Sequence, residues 1–164
     1  DAALAPTTFL GASKLAAEVL ARPFEKLFPV SILRLFGPYG PGQTARLVPD
    51  LIRRVEAGEA VTLPEQGGGM RFAPTYVDDI CALISTAIAM AWTGVLNVAS
   101  PEVLTIEEAA GVIGKALGKV PVFERKPMDA PIVAPDLVRL GARYDLGRFR
   151  NFADGVVATL GRDQ

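Results

Sequence analysis

The sequence predicts a layered α/β fold with a small parallel sheet, and three features lead to that prediction. Short apolar runs alternate with longer segments of helical periodicity, as in chains that cover a parallel sheet with helices. Two of these runs, VSILRL at 30–35 and GVLNVAS at 94–100, are largely apolar, as expected of strands buried on both faces. The amphipathic segments between them are long enough to form the crossover helices that parallel strands require.

Helices are predicted by the spacing of apolar side chains and by signals at the helix ends. The predicted helices are residues 11–28, 45–57, 76–91 and 105–118, with two short helices near 135–142 and 151–160. Pro23 is expected to break or kink the first helix, and Gly58 to end the second. Thr105 and Glu108 fit a capping box at the start of the fourth. Cys81 falls on the apolar stripe of the third helix, which places it in the core as a small apolar side chain.

Strands are predicted at fewer places. In addition to the two central runs, AVTLPE at 60–65 is a weak strand and PVFER at 121–125 is an edge strand. A parallel sheet with only two central strands leaves apolar edges and faces uncovered. We therefore expect a further N-terminal segment that completes the sheet. Without that segment, we expect the chain to self-associate.

The composition excludes several classes of function. The chain has 17 basic and 18 acidic side chains without a basic run, so we expect no nucleic-acid partner. No histidine is present, which removes Ser-His and Cys-His catalysis and most zinc sites, and we expect no metal. No apolar run is long enough to span a membrane, and a single cysteine forms no internal disulfide. These features predict a cytoplasmic protein without a membrane partner.

Seven short motifs occur in an order that is informative. They are PTTFLGASKLAAE (6–18), LRLFGPYGPGQ (33–43), VPDLI (48–52), GEAVTL (58–63), MRFAPTYVDDI (70–80), GVLNVAS (94–100) and KALGKVP (115–121). Together they resemble the C-terminal half of the extended short-chain dehydrogenase/reductase family, which includes the NAD-dependent epimerases and dehydratases that act on nucleotide sugars. The resemblance extends along nearly the whole chain.

The resemblance implies a domain organisation. Residues 1–164 are expected to form a single domain that corresponds to the C-terminal half of such an enzyme: a partial Rossmann-like parallel sheet with helices, plus a small substrate-binding α/β lobe. Remnants of the Rossmann domain are expected at about 7–35 and 76–100, and the substrate lobe at about 36–75 and 101–164. The N-terminal nucleotide-binding half is expected to be missing, since no strand-GxGxxG-helix unit occurs in the sequence. The intact family member binds NAD or NADP, but we expect neither to bind tightly to this chain alone.

The resemblance implies that the opening helix carries half of a catalytic pair. In the family, a tyrosine four residues before a lysine moves a proton to or from a substrate hydroxyl while hydride passes to or from the nicotinamide. Aligning Lys14 with that lysine puts Leu10 where the tyrosine belongs. A leucine side chain neither accepts nor donates a proton, so we expect the chain to be inactive as it stands. Lys14 either keeps a role in holding the cofactor ribose or is a solvated lysine paired with Glu18.

Other candidate site residues follow the first central strand, where α/β folds place their ligands. The predicted cofactor contacts are Lys14, Gly37 and Pro38, and the predicted substrate contacts are Tyr39, Gln43, Arg46 and Arg71. Gly37 replaces an asparagine that is frequent in the family. Arg71 lies six residues before Val77 instead of the usual five, and it is the best bidentate phosphate partner in the loop that follows the glycine-rich turn.

Three functional hypotheses remain open from the sequence. In the first, the chain is the substrate-side half of a nucleotide-sugar epimerase, dehydratase or reductase and works only with a nucleotide-binding half. In the second, it is a non-catalytic module that binds a nucleotide sugar or another protein. In the third, it is an enzyme whose acid/base chemistry has moved to Tyr39 and Lys14.

Overall fold

The fold was obtained as a computed structural model, which describes residues 4–161. The helices are α1 (Phe9–Ala21), α2 (Leu47–Ala57), α3 (Val77–Ala89), α4 (Ile106–Leu117), α5 (Val138–Gly141) and α6 (Phe152–Thr159). The strands are β1 (Ser31–Leu35), β2 (Pro38–Tyr39), β3 (Ala60–Pro64), β4 (Arg71–Phe72), β5 (Thr75–Tyr76), β6 (Gly94–Val98), β7 (Leu104–Thr105), β8 (Val122–Lys126) and β9 (Ile132–Val133). The α/β class predicted from the sequence is confirmed.

The two central strands pair with each other as parallel neighbours. Ser31 of β1 lies opposite Gly94 of β6, and the register continues to Leu35 opposite Val98. Because β1 and β6 run in the same direction, their carboxyl ends lie at the same edge of the sheet. The chain leaves both strands at that edge.

Among the residues that the structure describes, three smaller sheets form the rest of the β structure. Strand β2 pairs with β5, and β3 with β8, both in parallel. Strand β4 lies between β7, which is antiparallel to it, and β9, which is parallel. The β8 strand was predicted, whereas the two-residue strands were not, because a segment that short carries no alternating pattern.

Local end signals in the sequence determine several helix boundaries. Pro23 lies at the start of a 3₁₀ turn, Arg22–Lys26, that follows directly on α1. In α4 the Thr105 hydroxyl accepts a hydrogen bond from the Glu108 amide at 3.1 Å, and the Glu108 carboxylate accepts one from the Thr105 amide at 2.8 Å. Gly58 takes a left-handed conformation with φ of 69° after α2. The break, the capping box and the terminating glycine are therefore confirmed.

Two hydrophobic clusters of described residues stabilise the fold. The first joins α2, α4, α6 and the small sheets, and its most deeply buried side chains include Leu63, Ile113 and Phe152. The second packs α3 and β6 against α5, with Leu83 and Val98 fully buried. Helices α2 and α4 also make close contact with each other.

The prediction for Cys81 was wrong, because its side chain is exposed. The buried residues of α3 are Ile80, Leu83 and Ala87, one side of the helix, while Cys81 and Ile88 lie outside that stripe. Packing against β6 and α5 selects this narrower stripe from a helix that is apolar over most of its surface.

A close backbone approach joins the central sheet to the β2–β5 pair. Gly37 has φ of 53°, and a Cβ added there would overlap the carbonyl oxygen of Ala73. The Thr75 amide donates a hydrogen bond to the Gly37 carbonyl at 2.9 Å. The fully buried Thr75 hydroxyl donates to the Phe36 carbonyl at 2.9 Å and accepts from the Ser100 amide at 2.9 Å. Thr75 thus bonds to the segments that leave both central strands.

This approach predicts that Gly37→Ala destabilises the protein more than an equivalent change elsewhere. Gly42 is the matched control, since it also has a positive φ, of 78°, but has open space around its Cα. Gly42→Ala should lower the free energy of unfolding by about 1 kcal/mol through backbone strain alone. Gly37→Ala adds a backbone clash and should cost about 3 kcal/mol. Urea unfolding of both variants measures the difference, and equal losses would contradict the close approach.

Candidate functional site

A cavity of about 250 Å³ lies where the chain leaves β1. Its lining residues are Gly37, Pro38, Arg46, Leu47, Val48 and Phe72. Three of the predicted site residues, Gly37, Pro38 and Arg46, are therefore brought together. Arg46 occupies the position before the first residue of α2, where its side chain makes no capping hydrogen bond and is exposed.

Arg71 lies beside this cavity without lining it. It is an exposed residue of β4, and its amide donates to the Pro131 carbonyl at 3.0 Å. Its neighbour Phe72 lines the first cavity, and its other neighbour Met70 lines a second one of about 410 Å³. Leu47 is shared by both cavities. The two cavities therefore adjoin. Arg71 is exposed where Phe72 is buried, so its side chain lies on the opposite face of β4 from the Phe72 ring that lines the first cavity.

The Gln43 side chain forms a hydrogen bond within the loop that lines the cavity. Its side-chain amide donates to the Pro38 carbonyl at 3.2 Å. This contact assigns the two ends of the Gln43 amide, because only its NH₂ group can donate to the Pro38 carbonyl oxygen. The Gln43 Oε1 atom is buried and has no hydrogen-bond partner among the described residues, so one acceptor beside the loop is unused.

Tyr39 lies in the core, which differs from its prediction as a substrate contact. The side chain is 1% exposed, and its ring packs edge-on against Tyr76 at 5.7 Å and Phe152 at 5.3 Å. Its hydroxyl is buried without a hydrogen-bond partner in the described part of the chain. Burial raises the pKa of Tyr39 above its usual range, and the carboxylates of Glu102 and Asp79 add to the effect. The neutral phenol is therefore strongly favoured.

Lys14 is exposed on α1 and lines a groove of about 630 Å³ between α1 and β1. The groove extends to Phe36, the residue before Gly37. Lys14 forms no hydrogen bond or ion pair with another of residues 4–161. Leu10, one helical turn earlier, is 59% exposed. The groove is thus lined by the ammonium group of Lys14. Residue 10, where the sequence resemblance predicts a proton-transfer partner, has the aliphatic side chain of leucine.

Glu18 does not pair with Lys14, as one of the two predictions for Lys14 required. Instead, the Arg34 guanidinium donates from Nε to Glu18 Oε1 at 2.8 Å and from Nη2 to Oε2 at 2.7 Å. This pair was not predicted from the sequence. A signal was present, because a charged residue within the apolar run VSILRL requires a partner if it is to be buried.

One of the two acidic residues at the start of α3, Asp79, binds another part of the chain. Asp79 accepts a hydrogen bond from the Arg150 amide at 2.7 Å, and the Arg150 guanidinium lies 4.4 Å from the Tyr76 ring centroid. Within residues 4–161, no group of three or more acidic or cysteine side chains is arranged to hold a metal ion. In the same range, no helix has the length and apolar character needed to cross a membrane.

Solved structures share this fold. The UDP-glucose 4-epimerase of Thermus thermophilus, in complex with NAD, superposes with a TM-score of 0.76 at 24% identity over 96% of this chain and 54% of its own. The dTDP-glucose 4,6-dehydratase of Bacillus anthracis, in complex with NAD, gives 0.79 at 23% identity over 98% and 53%. The UDP-glucuronic acid 4-epimerase of Bacillus cereus, in complex with UDP-glucuronic acid and NAD, gives 0.78 at 23% identity over 96% and 53%.

The chain therefore spans about half the length of these enzymes. At these identities the likeness establishes the fold, which is that of a Rossmann-like α/β protein. A comparison with curated protein sequences gives no significant match. The profile of the NAD dependent epimerase/dehydratase family matches residues 1–99, more than half of the chain. The chain belongs to the NAD dependent epimerase/dehydratase family.

Proposed function

We propose that this chain is the substrate-side portion of an NAD(P)-dependent nucleotide-sugar epimerase or dehydratase, and that it is not catalytically competent as it stands. The observation that carries the proposal is Leu10, which lies one turn before Lys14 on the exposed face of α1. Family membership and the NAD and UDP-glucuronic acid complexes of the solved relatives support the ligand class. We place this protein in the cytoplasm, as its composition predicts.

The cofactor contacts in this proposal come from the edge where β1 ends. Lys14, which has no partner among the described residues, would hold the hydroxyls of a dinucleotide ribose, and Gly37 and Pro38 would approach the cofactor with their backbone. When bound, NAD supplies a hydride acceptor. The proton that leaves the substrate hydroxyl needs a separate base. The side chain of Leu10 has no atom that accepts it.

The substrate contacts in this proposal come from Arg46, which lines the cavity of about 250 Å³, and from Arg71, the exposed residue of β4. Guanidinium groups bind phosphate oxygens in pairs of parallel hydrogen bonds, so Arg46 and Arg71 would hold the diphosphate of a nucleotide sugar. Gln43, whose Oε1 atom lacks a partner among the described residues, would accept a hydrogen bond from a sugar hydroxyl after a small shift of the loop. Tyr39 would act indirectly, by packing under the loop that carries these groups.

A second candidate is a non-catalytic module that binds a nucleotide sugar or another protein. The same observations favour it, because the cavities with their arginines persist while the proton-transfer group is replaced. The third candidate, acid/base chemistry relocated to Tyr39 and Lys14, is disfavoured. A phenol that is 1% exposed cannot reach a substrate, and its raised pKa opposes the phenolate that a base requires.

We also propose that the apolar surface around α1 is covered by another polypeptide segment. Exposed large apolar side chains on α1 and the turn after it are Phe9, Leu10, Val19, Leu20, Phe24, Leu27 and Phe28. The outer edge of β1 has no strand beside it among the described residues. Either a dinucleotide-binding half or a second copy of this chain would cover this α1 surface.

The substrate proposal predicts that Arg46→Ala and Arg71→Ala each weaken nucleotide-sugar binding. Loss of a charged phosphate contact should lower the affinity about tenfold or more. Thermal-shift titration with UDP-, GDP- and TDP-sugars measures the effect, because a ligand bound to the native state raises the apparent stability. Arg53→Ala is the control, as Arg53 is an exposed arginine that lines neither cavity. No shift of the parent with any sugar would contradict the proposal.

The α1 surface predicts self-association of the isolated chain. Sedimentation at rising concentration should show dimers or larger species, because exposed apolar patches of this kind are unfavourable in water. Leu20→Glu and Leu27→Glu, at positions 71% and 76% exposed, should reduce association without unfolding the protein. Val120→Glu, 88% exposed in the loop after α4, should leave association unchanged. A monomeric parent at high concentration would be the contrary result.

A further inference from the structure

Helix α1 carries Lys14 but is held weakly by packing. It has 13 residues, and none of them is buried. An isolated helix of this length is marginally stable in water. The Thr8 cap on the Gly11 amide and the bond from the Ser13 hydroxyl to the Leu10 carbonyl both lie within the helix and its cap. Neither of them attaches α1 to the sheet.

Within residues 4–161, the hydrogen bonds that attach α1 to the sheet are those between Glu18 and Arg34. Both carboxylate oxygens are used, and the Arg34 and Glu18 side chains are only 30% and 15% exposed. Arg34 lies in β1, where Asn97 of β6 is its register neighbour. The Asn97 side-chain amide donates to the Asp136 carbonyl, whereas the Arg34 guanidinium reaches α1. The hydrogen bond from Arg34 is the main reason that the pKa of Glu18 is lowered.

We propose that Arg34 and Glu18 are positioning residues for Lys14. The pair holds α1 against β1, and it occupies both oxygens of the carboxylate that lies one turn from the ammonium group. Lys14 is thereby kept at a fixed place in the groove and free of an intrahelical partner. Its use of that place to hold a cofactor rests on the proposed function, whereas the positioning itself does not.

Arginine is suited to this role in a way that lysine is not. Its planar guanidinium donates two parallel hydrogen bonds and therefore fixes the direction of the partner as well as its distance. An ammonium group donates from a single centre and leaves the helix free to turn. An Arg34→Lys variant should accordingly hold α1 against β1 less firmly than the native pair does, but more firmly than Arg34→Met.

Hydrogen exchange of the α1 amides tests whether the pair holds the helix. Arg34→Met should speed hydrogen exchange across α1 by about tenfold. Exchange requires local opening of the helix, and loss of hydrogen bonds to a charged group lowers the free energy of that opening. The charge swap, Glu18→Arg with Arg34→Glu, should restore most of the protection. Arg53→Met breaks two ion pairs of α2, with Asp50 and Glu59. Since α2 is anchored by buried Val48, Leu51 and Val55, this change should leave α1 exchange unchanged.

The position of residue 14 can be measured directly with two nitroxide labels. One replaces Lys14 and the other Lys115, an exposed residue of α4, with Cys81 changed to serine. Arg34→Met should broaden the distance distribution between the labels, and the charge swap should narrow it again. A general loss of stability would not produce this reversal, so the readout is specific to positioning.

Unchanged α1 exchange and an unchanged label distance in Arg34→Met would overturn the proposal. So would equal effects of Arg34→Met and Arg53→Met on α1. Lys14→Met separates this proposal from the proposed function: it should leave α1 exchange unaltered, because Lys14 makes no bond within residues 4–161. Both measurements are made without cofactor or substrate, so a failure to bind either would leave the result for the pair intact.

Discussion

The hydrogen bonds of Thr75 are the constraint on which the rest of the structure depends. A single buried side chain bonds to the carbonyl of Phe36 at the end of β1 and to the amide of Ser100 after β6. Its own amide bonds to Gly37, where the absence of a side chain lets two backbones meet. Buried polar groups contribute to stability only when they are paired, so these three partners fix how the segments leaving the sheet are placed. The cavity beside Gly37 and the start of α2 follow from that placement.

The site has two parts that are held with different strength. Arg46 precedes α2, and Arg71 lies in β4. Both elements pack on the larger hydrophobic cluster, α2 through buried Val48 and β4 through buried Phe72. Lys14 belongs to a helix without buried side chains, held by a charged pair. The residues proposed to bind substrate therefore lie on elements that pack into the core, whereas the helix proposed to face the cofactor depends on polar contacts and on whatever covers its apolar face.

The sequence predicted those features that short-range chemistry decides. The central strands, the capping box at Thr105 and Glu108, and the break at Pro23 all depend on neighbouring residues. The features that it did not predict depend on packing between distant segments. Nothing near Tyr39 in the sequence indicates that Tyr76 and Phe152 enclose it, and the two-residue strands exist only because their partners are in place.

The same distinction applies to the candidate site. Gly37, Pro38 and Arg46 line one cavity because all three follow one strand within a short stretch of chain. The pairing of Glu18 with Arg34 requires the fold to bring α1 onto β1, and Lys14, one turn away, was an equally good partner by sequence spacing alone.

The central claim, that an aliphatic side chain at position 10 removes the proton-transfer step, is tested most directly by one comparison. The parent chain and Leu10→Tyr are each fused to the dinucleotide-binding half of the Thermus thermophilus epimerase, and reduced nicotinamide is followed after adding a UDP-sugar. Both fusions should bind NAD, and only Leu10→Tyr should form reduced nicotinamide, because a phenol beside an ammonium can accept the proton. Turnover by the parent at a rate equal to the variant would contradict the account.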